Sequence, residues 1–306
     1  MNPALPDEAV EFGAAAARAF AALGNVDAAR RAEDKPELRA GEIAATLQAL
    51  GVDELDPRAD ADALAAAAAL CHAAGRVALP YPVAGALLAD DGIPFAMGLR
   101  VDHGDLFPQW HVADVGPAEP AGPPLATRLG PFVTDLTPRS GVTTSRLPTS
   151  GDPRTLRWLA LTSWQVLGTV ERAIELAVDH VTTRVQFGKP LSAFQAVQFQ
   201  LADAAVAAAG LRELALFTLW RLSQPQEADV DVLALRVHAL DVARSVLRTT
   251  QQLHGAAGVC DEYDISVLCR HVQPALRLPF GSERTVDQLA AAVDRDGFDG
   301  LFPHGR

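Results

Sequence analysis

Apolar side chains recur three, four or seven positions apart through the second half of the chain, which is the spacing of one helix face. The pattern predicts a long amphipathic helix from residue 154 and two further helices, which Ser223-Gln224-Pro225 separates from each other. A fourth helix is expected from residue 283 to about residue 293, and four such helices can close an antiparallel bundle. The predicted core positions are Leu156, Leu159, Val166, Val170, Ile174, Ala177 and Val181 in the first helix, Phe194, Val197, Leu201, Ala205, Ala208, Leu211 and Leu219 in the second, and Leu233, Val237, Leu240 and Leu247 in the third.

The chain up to about residue 88 is dominated by Ala, Leu, Glu and Arg, which favour helices. Breaks are expected at Gly24-Asn25, Gly51-Val52 and Asp56-Pro57. Prolines within residues 75–82 end one helix, and a short apolar helix is expected over residues 83–88. Several packed helices are therefore predicted for this region.

Between residues 94 and 153 Pro and Gly become frequent, and short β-prone segments alternate with turns. Residues 110–112 and 141–144 are two such segments. Roughly sixty residues form only a few strands, too few for a large independent barrel. The predicted fold class is therefore mainly α, with an N-terminal helical domain (residues 1–93), a reduced β-rich middle domain (residues 94–153) and a C-terminal helical bundle (residues 154–306).

Charge and hydropathy limit the classes of partner. The net charge of −12 argues against a broad surface for nucleic acid or anionic membrane, because such a partner would be repelled. The longest apolar run, residues 63–71, is too short to span a bilayer, and the first residues lack the basic-then-apolar order of a signal peptide. We expect a cytoplasmic protein with no nucleic-acid or membrane partner.

Cysteine and histidine give no sign of a metal site. Cys71, Cys260 and Cys269 are scattered and odd in number, so we interpret them as small core residues rather than a disulfide framework. No cysteine pair or HExxH motif has the spacing of zinc ligands. His72 lies in an Ala-rich helical stretch and is expected to be a packed or surface side chain, not a ligand.

The clearest chemical pattern follows the first long helix, where residues 184–188 read Arg-Val-Gln-Phe-Gly. Gly188 and Pro190 are expected to make the turn to the next helix. Arg184 places a planar, permanently charged guanidinium before that turn, where it is suited to binding a phosphate. Phe187 adds an aromatic face on which a ring can stack. On physical grounds alone the simpler interpretation is a helix end with a dipole-compensating Arg and a buried Phe.

Two segments resemble the acyl-CoA dehydrogenase family. Residues 184–195 carry the pattern Arg-x-Gln-Phe-Gly-x-Pro-Leu-x-x-Phe-Gln, which is similar to the family signature that joins two helices of its C-terminal bundle. Residues 252–259, QLHGAAGV, are similar to the family's Gln-x-x-Gly-Gly-x-Gly turn, and Glu262-Tyr263 and Arg270 follow as they do there. Residues 75–82 resemble the end of the family's N-terminal helical domain, so the resemblance covers most of the chain.

The resemblance implies FAD as cofactor, with each FAD lying between two subunits. One subunit faces the flavin, and the other clasps the pyrophosphate and adenosine. The positions that match the clasping role are Arg184, Phe187, Gln252 and the backbone N–H of Ala256, where Ala in place of Gly costs little if its φ stays negative. Ser282, in the last loop, is expected to keep a hydrogen-bond donor to the cofactor.

The flavin-facing role is predicted to be lost. Residues 94–153 carry neither the family's Thr-Glu-Pro-x-Ala-Gly-Ser segment nor its Trp-Ile-Thr segment, and they are fewer than its β-domain requires. In the last loop Glu283 and Arg284 follow Ser282, where the family has a Gln that contacts FAD. The reduced β unit is expected to leave more room for a bulky acyl group.

No catalytic residue is assigned. Members of the family remove the α-proton of an acyl-CoA with a glutamate, and Phe280 and Trp158 stand at the two positions where its branches place that residue. Glu171 and Glu175 lie over three turns further along the long helix and are interpreted as solvated or paired carboxylates.

These departures predict one member of a hetero-oligomer. The chain resembles the short, base-lacking subunits of actinobacterial heterotetrameric (α2β2) steroid-CoA dehydrogenases. We therefore expect a subunit of an FAD-dependent acyl-CoA dehydrogenase that desaturates a steroid-derived acyl-CoA, with a homologous partner that carries the glutamate and a separate electron-transfer acceptor.

Two alternatives stay open. The first is a self-sufficient homo-oligomer in which Glu283 or another carboxylate acts as the base. Glu283 lies three residues past Phe280 and would have to move inward, although an exposed acid at a helix N-terminus is the simpler interpretation. The second is a non-catalytic scaffold that keeps only the fold. Residue spacing defines neither the acyl chain nor the electron acceptor.

Overall fold

The computed structural model describes residues 4–139, 152–225 and 227–296. Helices predominate and a small sheet lies between the N-terminal helices and the C-terminal bundle. The helices are α1 (Asp7–Ala22), α2 (Val26–Asp34), α3 (Ala44–Ala49), α4 (Ala61–Arg76), α5 (Val83–Leu87), α6 (Pro153–Thr183), α7 (Gln195–Leu222), α8 (Asp229–His254), α9 (Asp264–His271), α10 (Gln273–Arg277) and α11 (Ser282–Asp296). The strands are β1 (Phe95–Ala96), β2 (Arg100–Asp102), β3 (Trp110–Val112), β4 (Gly116–Pro120), β5 (Leu125–Thr127), β6 (Gly130–Pro138), β7 (Val185–Gln186) and β8 (Lys189–Pro190).

The breaks predicted in the N-terminal region are confirmed. Gly24 and Asn25 both have positive φ between α1 and α2, and Gly51 has a φ of 75° after α3. The Asp60 side chain accepts a hydrogen bond from the Ala63 N–H at 2.8 Å and so caps α4. The result is a set of packed helices, with a short π-helical segment, Arg39–Ile43, before α3.

Two glycines set the contact between the N-terminal helices and the bundle. A Cβ on Gly75 of α4 would lie 1.9 Å from the Gln165 carbonyl oxygen, and a Cβ on Gly168 of α6 would lie 2.1 Å from the His72 carbonyl oxygen. The Thr169 hydroxyl donates to the Gly75 carbonyl at 2.9 Å across the same contact. Helices α4 and α6 therefore touch backbone to backbone, which only glycine allows.

The middle region forms a six-stranded sheet in the order β1-β3-β4-β6-β2, with β5 paired to β6. Strands β1 and β3 are parallel, and the other pairs are antiparallel. The strand predicted at residues 110–112 is β3, whereas the segment predicted at residues 141–144 lies outside the described residues. Trp110 anchors the sheet's small core, and its indole N–H donates to the Gly104 carbonyl at 2.8 Å.

The long helices of the C-terminal region are confirmed as α6, α7, α8 and α11. One predicted core position is wrong: Ala205 of α7 is exposed, because the buried stripe of that helix runs through Ala204 and Ala208 instead. Helices α9 and α10 lie between α8 and α11 and were not expected. With eight and five residues they are too short to show a helical period.

Two of the three cysteines are buried and one is exposed. Cys71 and Cys269 are buried, as predicted, but Cys260 is exposed because it follows the surface 3-10 turn Gly255–Val259. No described helix combines the length and the apolar character that crossing a bilayer demands.

Candidate functional site

The segment after α6 is a two-stranded hairpin in which β7 pairs with β8. The two residues between the strands, Phe187 and Gly188, have φ values of 52° and 77°. Two successive positive φ values define a type I′ turn, which favours Asn-Gly over Phe-Gly. The predicted turn was therefore wrong in one residue, because Pro190 lies in β8 and Phe187 takes its place in the turn.

Phe187 is 91% exposed, and its ring contacts the Phe194 ring edge-on at a centroid distance of 6.4 Å. A side chain in the left-handed region costs roughly 1–2 kcal/mol, and an exposed ring gains no burial energy to offset that cost. The interpretation with a buried Phe is therefore wrong. Nothing within the described chain explains an aromatic residue at this position.

Arg184 caps the C-terminus of α6. Its N–H donates to the His180 carbonyl and its carbonyl accepts from the Leu191 N–H, both at 2.9 Å. The side chain is exposed, and none of the described carboxylates forms an ion pair with it. The hairpin thus presents an uncompensated guanidinium and an exposed aromatic ring.

The second motif segment closes α8. Gln252 is exposed in the last turn, and Gly255 ends the helix with a φ of 62°. Ala256 is not among the described residues with positive φ, so the condition under which Ala replaces Gly at little cost is met. The Gln251 amide donates to the Gly258 carbonyl at 3.2 Å and holds the turn.

The two motif segments lie at the same end of the bundle. The rings of His180 and His254 stack at 4.5 Å, and Val181 of α6 packs with Leu253 of α8. Partial burial, with His254 and Arg184 nearby, lowers the pKa of His180. The fold therefore brings together two segments that are about seventy residues apart in sequence.

Gln252 and Ser282 line one groove of about 670 Å³ between α8, α10 and the start of α11. The Ser282 hydroxyl accepts a hydrogen bond from Arg244 at 2.6 Å. Arg184, Phe187 and Ala256 are not part of this lining. The structure thus places Gln252 and Ser282 in one groove and leaves the hairpin residues outside its lining.

Sequence reasoning missed three arginines of the groove, Arg244, Arg248 and Arg277. A usable sign was present, because Arg244, Arg248 and Gln252 follow one another at intervals of four residues and so share one face of α8. Arg277 had no comparable sign, since α10 was not predicted.

A second, smaller cavity lies between the sheet, α6 and α10. It measures about 70 Å³, and Trp158, Asp102 and His271 are among its lining residues. Small-molecule sites commonly measure about 300–1,000 Å³. The described residues therefore leave room for a few waters only, and the extra room expected for a bulky acyl group is not found in this cavity.

The positions considered for a catalytic base carry no inward carboxylate. Phe280 is buried, and Trp158 lines the small cavity. Glu283 is exposed in the first turn of α11, as the simpler interpretation predicted.

The carboxylates of α6 are paired, as predicted. Glu171 accepts hydrogen bonds from Arg212 at 2.6 Å and from His72 at 2.8 Å, and Glu175 is bound by Arg76. Burial opposes ionisation of Glu171, but its bonds to His72 and Arg212 outweigh burial and lower its pKa. His72 is thus a packed partner of a carboxylate. In the described part of the chain no three His, Cys, Asp or Glu side chains gather as metal ligands.

Asp102 is a carboxylate of the small cavity that sequence reasoning also missed. Its Oδ1 is buried without a hydrogen-bond partner, while its Oδ2 lies 3.3 Å from the His103 Nε2. Desolvation raises the pKa of Asp102 to about 7, although Arg39 opposes the change. Nothing in the residue pattern around Asp102 indicated that its carboxylate would be buried.

Solved structures identify the fold. The chain shares its fold with one chain of the ChsE4-ChsE5 complex from Mycobacterium tuberculosis, at a TM-score of 0.76 and 17% identity over 96% of this chain and 99% of that one. A variant of the Tcur3481-Tcur3483 steroid ACAD gives a TM-score of 0.78 and 19% identity over 95% and 99% of the two chains. Butyryl-CoA dehydrogenase from Megasphaera elsdenii gives a TM-score of 0.73 and 18% identity over 96% of this chain and 100% of that one. The chain has the acyl-CoA dehydrogenase fold.

A match to a protein-family model covers the bundle. Residues 157–292 match the family model described as acyl-CoA dehydrogenase, C-terminal domain. This matched region contains both motif segments, and it covers less than half of the chain.

Curated relatives align with part of the chain. Acyl-CoA dehydrogenase FadE27 of Mycobacterium tuberculosis is 33% identical over 119 residues, which are 36% of this chain and 32% of the relative. Acyl-CoA dehydrogenase FadE28 of the same organism is 32% identical over 40% of this chain and 37% of its own length. The aligned region thus spans about a third of each of these relatives.

Proposed function

We propose that this chain is a subunit of an FAD-dependent acyl-CoA dehydrogenase, an oxidoreductase that desaturates an acyl-CoA between its α and β carbons. In this proposal the chain supplies the clasp for the pyrophosphate and adenosine of an FAD whose flavin lies in a homologous partner subunit. The observation that carries the proposal is the hairpin, which presents Arg184 without a carboxylate and Phe187 strained and 91% exposed.

The residues at the bundle end have the chemistry to bind the pyrophosphate and adenosine of a dinucleotide. Arg184 offers two parallel N–H donors to a phosphate, and Phe187 offers a ring face for stacking. Gln252 adds an exposed amide, and Ala256 a backbone N–H outside the left-handed region. When bound, FAD supplies the hydride acceptor for the β carbon.

The rest of the active site is assigned to the partner subunit. Phe280 and Trp158 cannot take a proton, and the 70 Å³ cavity has no room for a flavin ring. A homologous partner would therefore contribute both the flavin pocket and the glutamate.

Two similar structures support this assembly and a substrate class. One is a complex of two named chains, ChsE4 and ChsE5, and the other is described as a steroid ACAD with two named chains. We extend these descriptions to this chain as a proposal: a cytoplasmic α2β2 heterotetramer acting on a steroid-derived acyl-CoA, which passes its electrons to a separate electron-transfer acceptor.

The test is the ratio of FAD to chain, with and without a co-expressed homologous partner. The chain alone is expected to hold little FAD, and the complex to be yellow and to bleach on addition of acyl-CoA.

Arg184→Ala is expected to lower FAD content at least tenfold, because it removes a charge-assisted bidentate contact. Arg18→Ala, at an exposed arginine of α1, is the matched control. A saturated FAD load on the isolated chain would favour the self-sufficient enzyme. Unchanged FAD content and turnover in Arg184→Ala would favour the non-catalytic scaffold.

Phe187→Asn separates the ligand role of this residue from any structural role. Because Asn tolerates positive φ and the ring buries nothing, the isolated chain is expected to gain about 0.5–1 kcal/mol in free energy of unfolding. The complex should nevertheless lose FAD affinity. Urea denaturation of the chain and FAD content of the complex measure the two effects, and a variant that loses stability but keeps its FAD would contradict the proposed role.

A further inference from the structure

The small cavity between the sheet, α6 and α10 combines a carboxylate with aromatic side chains. Among its described lining residues Asp102 is the acidic one and Arg100 carries a guanidinium. Tyr81 and Trp158 line the same space and are half-buried, so part of each side chain stays accessible. The Asp102 side chain is 28% accessible, which is enough for a ligand in the cavity to reach it. A carboxylate beside aromatic rings is an arrangement that recognises a cation.

Other carboxylates already neutralise the guanidiniums around Asp102. Arg39 donates to both oxygens of Asp105, at 3.0 and 2.6 Å. Arg100 donates to Asp135 at 2.6 and 3.0 Å. The Oδ1 of Asp102 has no hydrogen-bond partner within the described parts of the chain. When it is ionised, Asp102 is therefore an uncompensated negative charge in the cavity wall.

Two neighbouring histidines supply no positive charge to Asp102. The Nε2 of His103 lies 3.3 Å from the Asp102 Oδ2, and burial lowers the pKa of this ring well below its ordinary value. Burial also lowers the pKa of His271, although Glu33 opposes the change. The His271 Nε2 lies 2.6 Å from the Glu33 carboxylate, which only accepts hydrogen bonds, so the neutral ring carries its proton on Nε2. Its Nδ1 is left as a further acceptor.

The size of the cavity limits the ligand. Its volume is about 70 Å³, and one water molecule takes about 30 Å³ of liquid, so a molecule of about two to four heavy atoms fits. No three side chains of the metal-ligating types gather anywhere in residues 4–139, 152–225 and 227–296, which argues against a bare metal ion. The net charge of −12 attracts cations to the chain as a whole.

We infer that this cavity binds a small organic ammonium ion, which pairs with Asp102 and packs against Tyr81 and Trp158. The N–H groups of the ion provide the hydrogen bond that Oδ1 lacks, and the His271 Nδ1 is a second acceptor for them. The lining shares no residue with the groove that contains Gln252 and Ser282. The site is thus separate from the FAD clasp, and the inference does not rest on the proposed function.

Calorimetric titration of the full chain with methylammonium chloride at pH 8, in buffers without amines, tests the site. Saturable binding is expected. Methanol has the same number of heavy atoms but no charge, and tetramethylammonium has no N–H to donate, so neither is expected to bind.

Asp102→Asn is expected to weaken methylammonium binding at least tenfold, because it removes a charge-assisted hydrogen bond. Circular dichroism checks that the variant folds. Asp62→Asn, at an exposed carboxylate of α4, is the matched control and should bind methylammonium as the unaltered chain does.

Proton release is a second measurement, and it distinguishes this site from any other carboxylate of the surface. Desolvation raises the pKa of Asp102 to about 7, so at pH 6 the ammonium ion must displace a proton from it. Binding at pH 6 should therefore be about tenfold weaker than at pH 8 and release close to one proton per ion. The heats measured in two buffers of different ionisation enthalpy give the number of protons.

Three results would overturn the inference. They are the absence of saturable methylammonium binding at pH 8, unaltered affinity in Asp102→Asn, and binding at pH 6 without proton release. Equal binding of methanol would also contradict it, because the cavity would then select by size and not by charge.

Discussion

At the scale of single residues, Asp102 is a carboxylate with little compensation for its burial. Its Oδ1 has no hydrogen-bond partner, and desolvation raises its pKa to about 7 from an ordinary value of 3.8. Burial also lowers the pKa values of its neighbours His103 and His271, so neither is a strong source of positive charge near neutral pH. The folded chain therefore prefers a protonated Asp102.

This preference makes stability depend on pH in a defined direction. Between about pH 4 and 7 the unfolded chain has lost the Asp102 proton while the folded chain keeps it, so this residue's contribution to stability falls as pH rises and levels above the folded pKa. Asp102→Asn removes the dependence. In urea denaturation, the free energy of unfolding of the variant relative to that of the unaltered chain should rise from about pH 4 to 7. Above pH 7 the difference between the two should stay constant. A difference that does not vary with pH would contradict the raised pKa.

At the scale of elements, the contact of α4 with α6 joins the N-terminal helices to the bundle. Gly168→Ala would place a Cβ 2.1 Å from the His72 carbonyl oxygen, so the helices must separate. We expect a loss of about 2–3 kcal/mol in free energy of unfolding. Gly41→Ala is the matched control, because nothing lies within 4 Å of a Cβ there and Ala favours helix. Equal stability of the two variants would show that the helices adjust without cost.

The elements differ in how far their sequences predicted them. Helices α6, α7 and α8 are long enough for periodicity to identify them, whereas α9 and α10 are not. The β7–β8 hairpin was missed because Phe187 is an unfavourable residue for its turn, so local preference pointed elsewhere. A residue with a low preference for its own local conformation is more informative about function than a residue with a high preference for it.

At the scale of the whole molecule, a variant of the exposed Glu283 distinguishes the proposed hetero-oligomer from a self-sufficient homo-oligomer. If a partner supplies the base, Glu283→Gln should leave turnover of the complex within about twofold, because the side chain points to solvent and not to the small cavity. Steady-state reduction of an artificial electron acceptor measures this. Replacing the partner's glutamate is the comparison and should abolish turnover. Loss of activity in Glu283→Gln would support the self-sufficient homo-oligomer.

The sequence by itself determined the mainly helical fold, the long helices and the two motif segments, because periodicity and short turn patterns are local properties. It also named Gln252 and Ser282, but without any indication that they share a groove. Tertiary structure alone decided that grouping, the exposure of Phe187 and the presence of Arg277 in the groove, since these depend on how the elements pack. Burial and long-range approach are set by packing, which residue spacing does not record.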